Sequence, residues 1–161
     1  MRVLITVAML VGGLTPATWA GGREDLRLSV QPVRSTVSAK TPAELKIGLV
    51  NTSQHPVWVE KRLVLGYHID VFVLDKQGRP ILFVYPRFTL VLPTKADFIR
   101  LQPGGRVEKS VEVTMDMLPD FAKKPGVWTF VVKVTIMETG AEFGLHGWKG
   151  TLKSHVKLTV R

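Results

Sequence analysis

The 161-residue chain contains no cysteine. That absence removes disulfides, thiolate metal ligands, thiol nucleophiles and a lipidated cysteine anchor together. A domain without covalent cross-links rests on its hydrophobic core, and a chain of about 140 residues can bury a core of that size. Long apolar runs are equally scarce. The one such run, Val3 to Val11, falls far short of the roughly 20 residues needed to span a bilayer. Acidic residues are few, with 13 Asp and Glu against 22 Lys and Arg. Helical periodicity is nearly absent, so the crossovers that a parallel α/β sheet requires are missing.

The apolar run is read as an export signal. Met1 and Arg2 form a short positive start, Gly12, Gly13 and Pro16 break the run, and Ala17-Thr18-Trp19-Ala20 follows. Small residues at Thr18 and Ala20 suit cleavage after Ala20. The expected organisation is a signal peptide over residues 1–20 and one domain over 21–161, placing the mature protein in the periplasm or the medium with no membrane span. With Arg2 removed, the net charge falls from +9 to +8. The basic residues stand singly or in pairs, as at Lys61-Arg62 and Lys123-Lys124. A nucleic-acid protein gathers them into a stripe with aromatics between, so nucleic acid is not expected. A soluble basic surface, an acidic partner or a weak association with anionic envelope polymers fits the charge.

The remaining sequence reads as strands. Leu26, Leu28 and Val30 alternate with polar residues, as do Leu45, Ile47 and Leu49, the period of a sheet with one buried face. Val57-Trp58-Val59, Leu63-Val64-Leu65, Val71 to Leu74 and Ile81 to Val84 follow, with Asp75 to Gly78 as a hairpin turn between the last two. Thr89 to Leu92, Asp97 to Leu101 and Val107 to Val113 are further candidates, the last an edge strand because Lys109 interrupts its apolar parity. Met115 to Phe121 is the one plausible helical turn, limited by Pro119. Val127 to Ile136 is the longest strand, and Val156 to Val160 closes the chain. Eight or nine short strands with frequent turns predict an antiparallel β-sandwich.

Several segments then carry a resemblance. Leu49-Val50-Asn51-Thr52-Ser53, Val57 and Val59, Asp70 to Val73 with Asp75 and Gly78, Leu101 to Gly105, Pro125 to Phe130 and Trp148 to Thr151 occur in that order. The chain resembles the small immunoglobulin-like domains of bacterial exported proteins. It is similar to the sandwich domain that precedes the protease in deuterolysin-like enzymes, and more loosely to BsuPI-type proteinase inhibitor domains. The resemblance covers most of residues 26 to 160 and implies an immunoglobulin-like sandwich. The zinc-binding His-Glu-x-x-His helix of the deuterolysin-like enzymes has no counterpart in this sequence, so their protease activity is not carried over.

No catalytic or metal site is expected from spacing. His55, His68, His146 and His155 include no i, i+4 pair and no ligand-spaced carboxylates, and read as scattered surface residues. His146 and His155 flank one turn region, where they could meet. Asp70 with Asp75, and Glu108 with Glu112, read as solvated turn or face residues. None of the serines lies in a Gly-x-Ser-x-Gly elbow, and no cofactor is implied. Asn51-Thr52-Ser53 matches a glycosylation acceptor but reads better as a turn. Trp128, Phe130 and Val132 share a face and should pack in the core.

Candidate partner-binding residues are Trp58 with Lys61 and Arg62, then Tyr85 and Arg87 in the run Tyr85-Pro86-Arg87-Phe88, and Trp148 among Gly144, Gly147 and Gly150. Tyr, Trp and Arg concentrate at interface hot spots; Trp148 alternatively plugs the end of the sandwich. The expected function is a non-catalytic binding or accessory module that docks a protein partner through loops or an edge strand. The alternatives are a proteinase inhibitor and a structural envelope protein that associates with anionic polymers. The signal reading has a direct check. Intact-mass measurement of the protein recovered outside the cytoplasm should find Gly21 at its N-terminus, and a retained Met1 would refute cleavage.

Overall fold

The computed structural model describes residues 25–83, 85 and 91–161. The proposed signal, residues 1–20, lies outside the described residues, as do Arg87 and the start of the strand expected over Thr89 to Leu92. Ten strands appear: β1 (Leu26–Arg34), β2 (Thr36–Val37), β3 (Ala43–Asn51), β4 (Val57–Glu60), β5 (Ile69–Leu74), β6 (Pro80–Leu82), β7 (Phe98–Leu101), β8 (Arg106–Val113), β9 (Gly126–Ile136) and β10 (Gly150–Val160). They form a three-stranded sheet in the order β1-β3-β8, a five-stranded sheet in the order β2-β10-β9-β5-β6, and the pair β4-β7.

This is an immunoglobulin-like β-sandwich. The first strand pairs with β3 in one sheet, its register slips between Pro32 and Arg34, and the chain crosses over. In the other sheet β2 then runs parallel to the C-terminal strand, pairing at Thr159↔Thr36 and Val160↔Val37. The named strands are otherwise antiparallel, so the expected all-antiparallel pattern is amended at this one short pair. The split of strands between two sheets is what defines the family of immunoglobulin architectures.

Alternation decides what is buried. In β10, Leu152, Val156, Leu158 and Val160 are buried while Thr151, Lys153, His155 and Lys157 are exposed. In β9, Phe130, Val132, Val134 and Ile136 face the core, met from the opposite sheet by Leu45, Ile47 and Leu49 of β3. Phe83 meets Phe130 edge-on at 5.6 Å, a favoured aromatic geometry. Trp128 is half-buried against the core, packs on Phe121 at 5.5 Å, and donates its indole N–H to the Lys124 carbonyl. As expected, β8 is an edge, with Glu108, Lys109 and Ser110 exposed.

Three expectations need correction. Leu63-Val64-Leu65 is not a strand. Leu63 is buried with φ of 45°, a left-handed conformation that costs a β-propensity residue of order 1–3 kcal/mol. The Val64 N–H bonds to the His68 ring instead of a neighbouring strand, and the Val64 carbonyl accepts from Tyr67, His68 and Ile69. Second, the helical turn over Met115 to Phe121 is two 3-10 turns, Met115–Met117 and Asp120–Lys123. Pro119 separates them because it fixes φ and has no N–H to continue a helix. Third, His68 is buried, not a surface residue.

Asn51 stitches the sandwich where β3 gives way to β4. The β3-β8 ladder ends there, and the β4-β7 ladder resumes six residues on, at Val57↔Leu101. Buried Asn51 bridges the gap. Its N–H donates to Gly105, its carbonyl accepts from Gly104, and its side-chain amide donates to the carbonyls of His55 (2.8 Å) and Leu101 (3.0 Å). Its Oδ1 accepts from the N–H and hydroxyl of Ser53. The turn reading of Asn51-Thr52-Ser53 therefore holds, and the amide is committed inside the fold, where no glycan fits. Removing it strands the buried Leu101 carbonyl, at a cost of about 1–3 kcal/mol, and leaves the His55 carbonyl to the Ser53 hydroxyl alone. Asn51→Ala should lower unfolding free energy by about 1–3 kcal/mol in urea titration. Asn51→Asp keeps the acceptor but loses both donors and should be nearly as damaging.

Candidate functional site

Two features stand out beyond the core: a buried ionic cluster at one end of the sandwich, and the edges that the sheets leave open. The cluster is built where β4 ends and β9 has just ended. Glu60, the last residue of β4, is fully buried. Its carboxylate takes the Nε–H of Arg62 on one oxygen and His68 Nε2 at 3.0 Å on the other. Glu138, just beyond β9, accepts the hydroxyl of Tyr67 and puts its second oxygen 3.8 Å from His68 Nε2. Arg62 also reaches the Val91 carbonyl at 2.6 Å, and Lys61 donates its backbone N–H to Asp97. The cluster thus fixes the irregular segment between β4 and β5 and ties it to the chain near Val91.

The hydrogen bonds assign the tautomer of His68. The Val64 N–H points at Nδ1 at 3.0 Å, so Nδ1 is the acceptor and the ring proton sits on Nε2, donating to Glu60. Burial alone would raise the Glu60 pKa, but the hydrogen bonds from His68 and Arg62 outweigh it and hold the carboxyl below its ordinary value. The hydrogen bond to Glu138, reinforced by burial, pushes the Tyr67 hydroxyl up to about 12. Both groups therefore keep one protonation state at neutral pH, Glu60 ionised and Tyr67 protonated.

Glu60, His68 and Glu138 bring one donor atom each within 4.8 Å of one another, close enough to suggest a metal. The donor chemistry argues against it. A ligating histidine coordinates through one nitrogen and donates the other N–H outward, whereas here a backbone N–H already points at Nδ1. Arg62 meanwhile supplies the positive charge that a cation would bring to Glu60. Among the described residues no serine or threonine hydroxyl bonds His68, so the pair lacks the nucleophile that a hydrolytic relay needs. What the arrangement does is hold backbone in place.

The sequence-predicted residues separate into groups. Trp58 and Trp148 are brought together: the Trp148 N–H donates to the Trp58 carbonyl at 2.8 Å, next to a parallel bridge from Trp58 to Gly147. Trp148 is half-buried against the core, and a Cβ at Gly150 would lie 2.7 Å from its ring. Trp148 thus packs at the end of the sandwich, and glycine at 150 makes room for it. Lys61 is exposed, while Arg62 belongs to the cluster. Tyr85 is half-buried, bonded through its hydroxyl to the backbone of Val71, and burial raises its pKa. Arg87 lies outside the described residues. His155 sits in mid-β10 opposite Val131, while His146 precedes that strand, exposed.

Sequence reasoning missed the cluster because Glu60 and His68, eight positions apart, follow no helical or strand spacing, and Glu138 lies about 70 positions further on. One signal was available: Glu60 falls on a strand otherwise made of Val57, Trp58 and Val59, where an isolated carboxylate demands a partner.

No protein-family model and no curated protein sequence matches the chain. Among solved structures, it is similar to the CARDB domain of the PF1109 protein from Pyrococcus furiosus, solved in complex with di-metal ions. Identity is 13%, covering 90% of this chain and 95% of that one, with a TM-score of 0.40. It is also similar to part of a β-glucosidase from Listeria innocua, solved in complex with isofagomine. There identity is 12%, covering 88% of this chain but 17% of the enzyme, with a TM-score of 0.42. At such identities and TM-scores neither likeness bears on function.

The cluster makes a definite prediction. Glu60→Gln removes the charge that balances half-buried Arg62 and should cost about 1–3 kcal/mol at neutral pH. The folded pKa lies below the ordinary 4.5, so this stabilisation is complete above that value and is lost as pH falls through the folded pKa. The gap between wild type and variant, measured by urea unfolding, should therefore narrow steadily below about pH 4.5.

Proposed function

We propose that this chain is an exported, non-catalytic binding domain that docks a protein partner by accepting an extended segment of it along β6. The observation that supports this reading is the nature of that edge. Strand β6 ends the five-stranded sheet, and Pro80, Ile81 and Leu82 are all exposed. Ile81 and Leu82 expose 36% and 47% of their surface, which for an edge strand is an invitation to pairing.

The other outer strands of the three- and five-stranded sheets are defended. Arg106, Glu108, Lys109 and Glu112 line β8, Arg27, Pro32 and Arg34 interrupt β1, and β2 has only two residues. Charges and prolines of this kind discourage edge-to-edge pairing. Beyond β6 the chain carries two more exposed apolar residues, Val91 (67%) and Leu92 (78%), and Arg62 holds the Val91 carbonyl. Strand addition supplies affinity through main-chain hydrogen bonds and specificity through alternate side chains. Among the described residues, no helix is long and apolar enough to cross a membrane.

The test is a crosslinked recovery from native envelope extract at low and moderate salt, with a photoreactive residue at position 81. One partner should crosslink at both salt levels. The double variant Ile81→Lys/Leu82→Lys should lose that partner at least tenfold while its stability stays within about 0.5 kcal/mol. Undiminished recovery by the double variant would remove the reading.

A further inference from the structure

Strand β10 is fully paired on one side and nearly bare on the other. Strand β2 meets its outer edge only at Thr159 and Val160, and β1 runs in the other sheet, on β3. The N–H groups of Thr159 and Arg161 reach outward there, to the carbonyls of Ser35 and Val37. Main-chain groups alternate sides along a strand, so those of Lys157, His155, Lys153 and Thr151 face the same edge. The opposite ladder agrees. Thr135 sends its N–H away from β10, to the His68 carbonyl beside β5, so its register partner Thr151 faces outward too. Among the described residues no strand pairs with this stretch on its outer side. It runs for roughly 20 Å. At every second residue it offers both an N–H and a carbonyl, which is what a further strand requires.

The same residues carry charge. Lys153, His155 and Lys157 are exposed on the outer face, while Leu152, Val156 and Leu158 are buried. Among the described residues none of these three basic groups has a carboxylate within 4.0 Å. Lys133, opposite Lys153 on β9, is already paired with Asp70 at 2.6 Å. A second copy of β10 does not fit this edge. At full overlap an antiparallel copy would set each Lys153 against a His155, and a shift of two would set Lys153 against Lys157. Like charges directly opposite destabilise a strand pair. Lysines on an open edge turn away indiscriminate partners in this manner. They do so by charge, so a strand of opposite charge is the one they admit.

We infer that β10 docks an extended peptide segment with Asp or Glu at every second position, added as a strand along Thr151 to Lys157. This occupant meets both demands of the edge. Its main chain uses the donors and the acceptors alike. Its alternate carboxylates fall directly opposite Lys153, His155 and Lys157, where opposite charges stabilise the pairing. Strands β10 and β6 lie on opposite flanks of the sheet, so this docking is separate from the one proposed at β6. A guard against aggregation alone requires no ligand, and the two accounts part on binding.

The experiment titrates purified protein into a fluorescent peptide of alternating glutamate and threonine, followed by anisotropy. Bound peptide should slow amide exchange at Lys153, His155 and Lys157 about tenfold, read by NMR. Lys153→Gln/Lys157→Gln should bind about tenfold more weakly. A control with the same charge change, Lys76→Gln/Lys95→Gln, removes exposed lysines away from β10 and should leave binding unchanged. Two N-methylated peptides separate pairing from charge. Methylation of the glutamate nitrogens blocks an antiparallel strand, and methylation of the threonine nitrogens blocks a parallel one. One of the two should lose binding about tenfold, and which one reports the strand's direction. Retention by both would show that charge alone attracts the peptide and would overturn the inference. Absence of binding by wild type, or equal loss in the two lysine double variants, would overturn it as well.

Discussion

The antiparallel ladder between β9 and β10 is the constraint on which the rest of the molecule depends. Every residue from Gly126 to Ile136 has a partner from Gly150 to Val160, giving the longest uninterrupted pairing in the chain. A period of two then divides those residues, because a slip of β10 by one would turn Leu152, Val156 and Leu158 out to solvent and Lys153 and Lys157 into the core. In a chain without a single cysteine, that penalty does the locking that disulfides do in small disulfide-rich domains. Neighbours inherit the register: β5 pairs on β9, β6 on β5, and β2 crosses from the other sheet to join β10.

The ionic cluster solves a different problem. Between β4 and β5 the chain has to change sheets without a ladder, and its buried backbone groups still require partners. His68 supplies one by accepting the Val64 N–H, Glu60 anchors His68 from the end of β4, and Arg62 neutralises Glu60 while holding the carbonyl of Val91. Buried ion pairs add little net stability because desolvation offsets their attraction. Their consequence here is geometric, since Leu63 is kept in a left-handed conformation that an apolar substitute for the cluster would not enforce.

How much of this was legible follows from the range of each interaction. Strands β3, β9 and β10 could be read because their signal is local alternation, one residue in and one out. Leu63 to Leu65 has the composition of a strand, yet it fails as one because its hydrogen bonds close locally, onto the ring of His68 and the backbone of residues 67–69, instead of onto a neighbouring strand. Tyr67 and Glu138 are 71 positions apart, so the cluster had no spacing to betray it. Strand β2 gains its identity only from the C-terminal strand it joins. The basic residues of β10 are an intermediate case. Lys153, His155 and Lys157 do lie at every second position, but a basic residue counted over the whole chain looks scattered until the strand is known to be one piece from Gly150 to Val160. Trp148 was identifiable as an end plug because a large aromatic among glycines has few other places to go.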